Sequence, residues 1–118
     1  MDIATIKLSW TAGALGAVTD MPVSMAPYKD RFMLYSVQTD PDGTVAPTAL
    51  YKVEVVNAEG CDLLEGGGAG RSATATEMKY AAMGSIPMAV PITGDLTVKV
   101  SANAVVGAKG DIYLHLVS

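Results

Sequence analysis

The side chains in this sequence that could carry out chemistry are few and widely spaced. His115 is the only histidine, so a cysteine or serine nucleophile would have to use it as its general base. The candidates are Cys61, Ser72 and Ser85, and their spacing orients none of them toward His115. One histidine and one cysteine are also too few to fill a zinc site without further ligands. The sequence therefore predicts a protein that is not an enzyme and holds no metal or cofactor.

The glycine-rich run from Gly66 to Ser72 invites a nucleotide-binding interpretation, which the flanking residues oppose. A phosphate-binding loop needs Gly-x-x-x-x-Gly-Lys-Ser/Thr, but here Glu65 occupies the first glycine position and Arg71 replaces the lysine. The looser dinucleotide pattern is matched at Gly68, Gly70 and Ala73. That pattern works only inside a strand–helix–strand unit, which the rest of the chain does not predict. We therefore expect a loop that is mobile or ordered by a partner.

Asp40 and Asp42 suggest calcium, because alternating carboxylates can supply an oxygen cage. The next ligand position is Thr44, and the distal glutamate of a calcium loop is missing. Asp40-Pro41-Asp42-Gly43 is instead a strong turn signal, since proline presets φ and glycine closes the turn. The sequence predicts a turn here.

The charge balance excludes several classes of partner. The chain of 118 residues has 8 basic and 12 acidic side chains, a net charge of −4, and no basic run, which argues against nucleic acid and acidic membranes. Cys61 is the only cysteine, so no intrachain disulfide can form. The start, Met1 to Lys7, lacks the pattern of a signal peptide, and we expect folding in a reducing cytoplasm.

Hydrophobic alternation with a period of two recurs along the chain and predicts strands. Five segments carry it, namely 4–10, 30–39, 50–57, 96–101 and 111–118. In the last, Ile112, Leu114 and Leu116 are expected to face the core. We predict an all-β fold, a single domain over residues 1–118, built as an antiparallel β-sandwich of about seven to eight strands with jelly-roll-like or Greek-key connections.

The pairing of these strands follows from their spacing. Segment 30–39 is apolar on both faces, which predicts a central strand, and 50–57 is expected to be its antiparallel neighbour. Segments 96–101 and 111–118 are predicted to form a terminal β-hairpin. A short helix over 73–83 is an alternative for a stretch rich in Ala, Glu, Met and Lys.

Only 17% of the residues are charged, against about 25% in soluble domains. The segments 8–19, 80–94 and 101–108 contain no charge at all. The second is methionine-rich, and it is either an adaptable binding surface or another core strand. We expect an interface between subunits, with these candidates: Trp10, Arg71, Met78, Tyr80, Met83, Met88, Tyr113 and His115.

Several segments resemble small virion proteins of tailed bacteriophages. The resemblance covers about the C-terminal 70 residues, including the strand 51–56, the turn and glycine loop 59–72, the element 87–98 and the ending 107–116. It implies a small β-sandwich that acts as a capsid cement or decoration protein, on the outside of a particle assembled in the bacterial cytoplasm. The implied partners are the major capsid protein and further copies of this chain, as a homotrimer or another homo-oligomer. Cys61 and Glu65 depart from the pattern.

Two alternatives stay open. A tail, collar or spike-adaptor component of the virion would show the same patterns. A carbohydrate-binding β-sandwich module is a different class, which would need several aromatic rings on one exposed face, from the set Trp10, Tyr28, Tyr35, Tyr80 and Tyr113.

Overall fold

The structure, a computed structural model, describes residues 1–118 and contains ten strands. They are Ile3–Thr11 (β1), Met21–Val23 (β2), Met33–Pro41 (β3), Lys52–Val56 (β4), Glu77–Tyr80 (β5), Ala82–Met83 (β6), Ile86–Pro87 (β7), Val90–Pro91 (β8), Leu96–Ser101 (β9) and Lys109–Val117 (β10). The one helical element is a 3-10 turn over Ala14–Gly16, and no helix has the length and hydrophobicity needed to cross a membrane. The all-β class is confirmed, with four short strands between residues 77 and 91 adding to the expected number.

The strands form two sheets and a separate hairpin. The first sheet has the order β1-β10-β3-β5, and β8 also pairs with β3; the second has the order β2-β9-β4; β6 and β7 pair with each other. Every pairing is antiparallel. The central position expected for 30–39 is confirmed, because β3 lies between β10 and β5.

The core lies between the two sheets and follows the alternation of the sequence. Ile112, Leu114 and Leu116 of β10 are fully buried, as expected. From the second sheet, the inward positions of β4 and β9 supply Val53, Val55, Leu96, Val98 and Val100. Tyr51 is also buried, and this burial raises the pKa of its hydroxyl. One cluster of 22 buried apolar residues therefore joins the two layers into a sandwich.

Three expected local arrangements are wrong. Segments 96–101 and 111–118 form no hairpin, because β9 pairs with β2 and β4 while β10 pairs with β1 and β3. Segment 50–57 is not the neighbour of 30–39, since β4 pairs with β9 in the opposite sheet. No helix covers 73–83, where β5 and β6 run instead. Alternation identifies the inward face of each strand. Because strands of both sheets show the same alternation, the pattern does not determine which strand pairs with which.

The glycine-rich run, taken together with the residues just before it as residues 61–72, is bonded to the domain itself and needs no partner to be ordered. The Val53 amide donates to the Gly68 carbonyl at 2.9 Å, and the Arg71 amide donates to Tyr51 at 2.8 Å, so the run is bonded along β4. A Cβ on Gly68 would collide with the carbonyl oxygen of Val53. The carboxylate of Asp62 accepts the amides of Val55, Leu64 and Gly66. The run is an irregular extension of the second sheet.

Candidate interaction surface

One corner of the first sheet exposes an unusual number of large apolar side chains. Met78 and Tyr80 on β5 are 49% and 52% exposed, and Ile86 on the β6–β7 hairpin is 64% exposed. We call this region the apolar corner: Tyr35, Met78 and Tyr80 on the sheet, with Met83, Ile86 and Met88 on or next to the hairpin. Several exposed apolar side chains in one region are candidates for an interaction site in a soluble protein.

The register of β5 on β3 turns its apolar residues outward. Met78 pairs with Gln38 and Tyr80 pairs with Ser36, so both share the outer face of the sheet. A β-bulge places Tyr35 on this face as well, because Leu116 pairs with Leu34 and His115 pairs with Ser36. The bulge brings the Tyr35 ring to 5.4 Å from the Tyr80 ring, with an edge-to-face angle of 69°.

A shallow depression of about 180 Å³ lies beside this tyrosine pair. It is lined by Tyr35, Tyr80, Pro87 and Met88. Pro87 pairs with Ala82, and Met83 pairs with Ile86, so the hairpin presents Pro87 on one face and Met83 with Ile86 on the other. The hairpin therefore carries apolar side chains on both of its faces.

A single carboxylate from the glycine-rich run holds the hairpin tip. Gly84 and Ser85 both have positive φ, 59° and 66°, which fits a two-residue type I′ turn. Their amides donate to the Glu65 carboxylate at 3.2 and 2.7 Å. Glu65 therefore fixes the tip of the hairpin, next to Ile86.

Tyr113 and His115 also lie on the outer face of the first sheet, but they are not in the apolar corner. Their rings stack 6.5 Å apart and nearly parallel, and both residues are half-buried. The ring nitrogens of His115 lie 3.3 Å from the Thr5 hydroxyl and from the Gln38 side-chain oxygen. Both ring nitrogens therefore have hydrogen-bonding partners, and neither partner is a cysteine or serine nucleophile. His115 on β10 is also two strands away from Tyr80 on β5.

Trp10 and Arg71, also expected at the interface, lie in the interior. Trp10 is 4% exposed and packs near Tyr51, with ring centroids 6.0 Å apart. Arg71 is 5% exposed, and its guanidinium donates to Glu77 at 3.2 Å and to the Ala69 carbonyl at 3.0 Å. It joins the glycine-rich run to β5, so these two residues serve the domain itself.

Two members of the apolar corner were absent from the sequence-based candidates. Ile86 lies within the charge-free segment 80–94, and that segment is the signal that could have identified it. Tyr35 lies in a central strand, where an apolar residue is expected to be buried. Only the β-bulge exposes it, and nothing in the sequence predicts the bulge.

The opposite end of the first sheet is polar. An open depression of about 470 Å³ is lined by Asp40, Asp42 and Asp111 together with Lys109 and the ends of their strands. The turn expected over 40–43 is displaced, because Asp40 and Pro41 belong to β3 and pair with Asp111 and Gly110. The chain turns after them, where the amides of Val45 and Thr44 donate to Asp42 and lower the pKa of this carboxyl. No three His, Cys, Asp or Glu side chains in the chain are grouped as a metal site requires.

Comparison with known proteins adds little. No family model matches the chain, and no curated protein matches it. Among solved structures, the chain is similar to one from the cyanophage Pam1 capsid asymmetric unit, with 13% sequence identity and a TM-score of 0.47. The alignment covers 98% of this chain and 81% of that one.

Proposed function

We propose that this protein is a structural component of a tailed-bacteriophage virion, a capsid cement protein that binds the exterior of the assembled shell through its apolar corner. The observation that carries the proposal is the exposure of six large apolar side chains, four of which lie within the charge-free segment 80–94. The resemblance of segments 51–72 and 87–98 to small virion proteins supports the same role. The proposed partner is the major capsid protein, and the proposed role is binding rather than catalysis.

The size of the corner indicates how such binding would work. Burying a few hundred Å² of apolar surface contributes on the order of 10 kcal/mol at about 25 cal/mol per Å². Association costs about 4–15 kcal/mol, so a single corner would bind weakly. A protein that binds only the assembled shell stabilises it by mass action, and many weak copies act together on one particle.

Co-sedimentation with shells of the encoding phage tests the proposal. The chain should bind saturably, and Ile86→Ser should weaken binding about tenfold because it removes an aliphatic contact. Val106→Ser is the matched control, since Val106 is a β-branched side chain of nearly equal exposure outside the corner, 63% against 64%. Binding to tails but not to shells, or equal loss in both variants, would contradict the proposal.

The carbohydrate-binding alternative is less well supported by the arrangement of the rings. Trp10 is buried, and Tyr35 meets Tyr80 edge to face, so these two tyrosines offer no common flat platform. Tyr113 is half-buried, and the nearly parallel His115 ring lies beside it with 6.5 Å between the centroids. A glycan array should give no signal, and a reproducible hit that is lost in Tyr80→Ser would favour this alternative over the cement role.

A further inference from the structure

Strand β1 is a long and open edge of the first sheet. It has nine residues and pairs only with β10, whereas the opposite edge of the sheet is the four-residue β5. Natural sheets usually shorten or cover such edges, because their free backbone groups pair readily with another strand. Lys7 is the only charged side chain within β1.

The hydrogen bonds at the two ends of β1 indicate which backbone groups are free. The Ala12 amide donates to the Ala108 carbonyl, and the Ser118 amide donates to the Asp2 carbonyl, so even-numbered residues are bonded toward β10. In an antiparallel ladder the bonding alternates. The amides and carbonyls of Ile3, Thr5, Lys7, Ser9 and Thr11 therefore point away from the sheet.

The core is also incompletely covered along this edge. Ile6 and Leu8 face inward but are only half-buried, whereas their partners Leu114 and Ile112 on β10 are fully buried. An added strand would extend the sheet and cover Ile6 and Leu8 at the same time. The occupant must therefore be an extended strand with apolar residues at alternate positions, and β1 of a second copy has this pattern itself.

Charge selects the register of such a pairing. Because the free backbone groups belong to odd-numbered residues, odd residues of one copy must pair with odd residues of the other. The symmetric register that uses all nine residues of β1 places Lys7 opposite Lys7 of the second copy, and two like charges that face each other are unfavourable. Centring the two-fold axis on Leu8 instead places Lys7 opposite Ser9 of the second copy. The Ser9 hydroxyl donates to Asp111 at 2.6 Å, so each lysine, which lies 3.7 Å from Asp111 of its own copy, also has Asp111 of the second copy one strand away. Centring on Ile6 would place Lys7 opposite Thr5, whose neighbour is His115.

We propose that two copies of this chain associate through antiparallel pairing of their β1 edges, with Leu8 on the two-fold axis. Leu8 faces Leu8, Ile6 faces Trp10, and Lys7 faces Ser9 of the second copy. The first sheets of the two copies become one continuous sheet. Because the apolar corner lies at the β5 edge, the dimer carries one corner at each far end.

This arrangement gives the dimer two shell-binding sites, which converts two weak contacts into one stronger attachment. That consequence rests on the proposed cement function, but the pairing of β1 does not. A monomeric protein that binds shells would overturn the dimer alone, and a dimer that ignores shells would overturn the cement role alone.

Cysteine cross-linking tests the register directly. Exposed Cys61 is first changed to serine, and single cysteines then replace Ile6, Lys7 or Leu8. Opposed residues that are not hydrogen-bonded to each other have Cα atoms about 4.5 Å apart, within the range of a disulfide. Leu8→Cys should give a covalent dimer under mild oxidation while Ile6→Cys and Lys7→Cys do not. Preferential linkage at Ile6 or Lys7, or none at any position, would overturn the proposal.

A proline substitution tests the backbone contact. Ser9→Pro removes an amide that points away from the sheet, so the domain should still fold, and Ser9→Val keeps the amide. Both variants lose the hydrogen bond from the Ser9 hydroxyl to Asp111, so they differ only in whether residue 9 keeps the backbone amide at the open edge of β1. Sedimentation equilibrium should give a mass rising from 12.2 kDa toward twice that value for the parent and Ser9→Val, with association at least about tenfold weaker for Ser9→Pro. A trimer, a parent that stays monomeric, or equal association of the two variants would refute the pairing.

Discussion

The glycine-rich run, residues 61–72, and the β6–β7 hairpin, residues 82–87, are neighbouring segments that differ in their contacts. The polar groups of the run are hydrogen-bonded inside the domain, whereas the hairpin leaves apolar side chains on the surface. The run is bonded to β4 through backbone amides and Asp62, and to β5 through the buried side chain of Arg71. The hairpin has Ile86 on the surface and is tied to the run through the two amides that Glu65 accepts. Polar groups satisfied inside the domain indicate a structural role, and apolar groups left outside it indicate a partner. This difference predicts that substitutions in the run change stability, whereas those in the hairpin change binding.

Gly68→Ala should have the largest effect on stability. The added Cβ would overlap the Val53 carbonyl, which is backbone and cannot rotate away. We expect a loss of about 3 kcal/mol in the free energy of unfolding, measured by urea denaturation. Gly43→Ala is the control, because a Cβ there meets nothing within 4 Å and the change should stay within about 0.5 kcal/mol. Equal stability of the two variants would mean that the run is not packed on β4.

Glu77→Ala should have the next largest effect. It leaves the Arg71 guanidinium, which is 5% exposed, without its carboxylate, and it also removes the acceptor of the Ser72 amide. A loss of about 2 kcal/mol is expected for bonds to a charged group. Asp20→Ala, which breaks an exposed pair with Lys99, should cost less than about 0.5 kcal/mol in the same urea titration. A comparable loss in both would show that the Arg71 pair is not structural.

Tyr51 should make the stability of the domain sensitive to alkaline pH. Burial raises the pKa of its hydroxyl above the ordinary value of 10.0, so the folded state favours the neutral form. The stabilisation is complete below pH 10 and is lost as the pH rises through the higher folded pKa. Tyr51→Phe should reduce the fall in unfolding free energy between pH 9 and 12, relative to its own value at pH 7. An unchanged alkaline slope would contradict this assignment.

Glu65→Ala should affect binding more than stability. The amides of Gly84 and Ser85 can turn to water, so unfolding should change by less than about 1 kcal/mol. The hairpin tip would lose its fixed position, and shell binding should weaken several-fold. Glu59→Ala removes the same charge from an exposed residue and should leave binding unchanged. If both variants weaken binding equally, charge and not hairpin position is responsible.

Ile86→Ser should have the smallest effect on stability. Its side chain is mostly in solvent already, so the free energy of unfolding should change by less than about 0.5 kcal/mol. The same substitution at fully buried Ile112 should cost about 3 kcal/mol or more. A large loss at Ile86 in thermal or urea unfolding would place it in the core and remove the basis of the apolar corner.

The candidate surface was only partly predictable. The charge-free segment 80–94 indicated Met83 and Met88, because a missing charge is visible in the sequence. Trp10 and Arg71 were misplaced, since an aromatic ring or an arginine suits an interface and an interior equally well. Arg71 can be buried because the carboxylate of Glu77, six residues later on β5, neutralises its charge. The position of β5 beside Arg71 depends on the tertiary structure.

The sequence by itself determined the all-β class and the inward face of β1, β4, β9 and β10, since both depend on the alternation of neighbouring residues. The tertiary structure alone decided which strands pair and which apolar residues stay outside. Those outcomes depend on contacts between distant segments, such as Leu34 with Leu116 and Glu65 with Ser85. The burial of a side chain is a property of everything that packs around it, and local spacing does not contain that information.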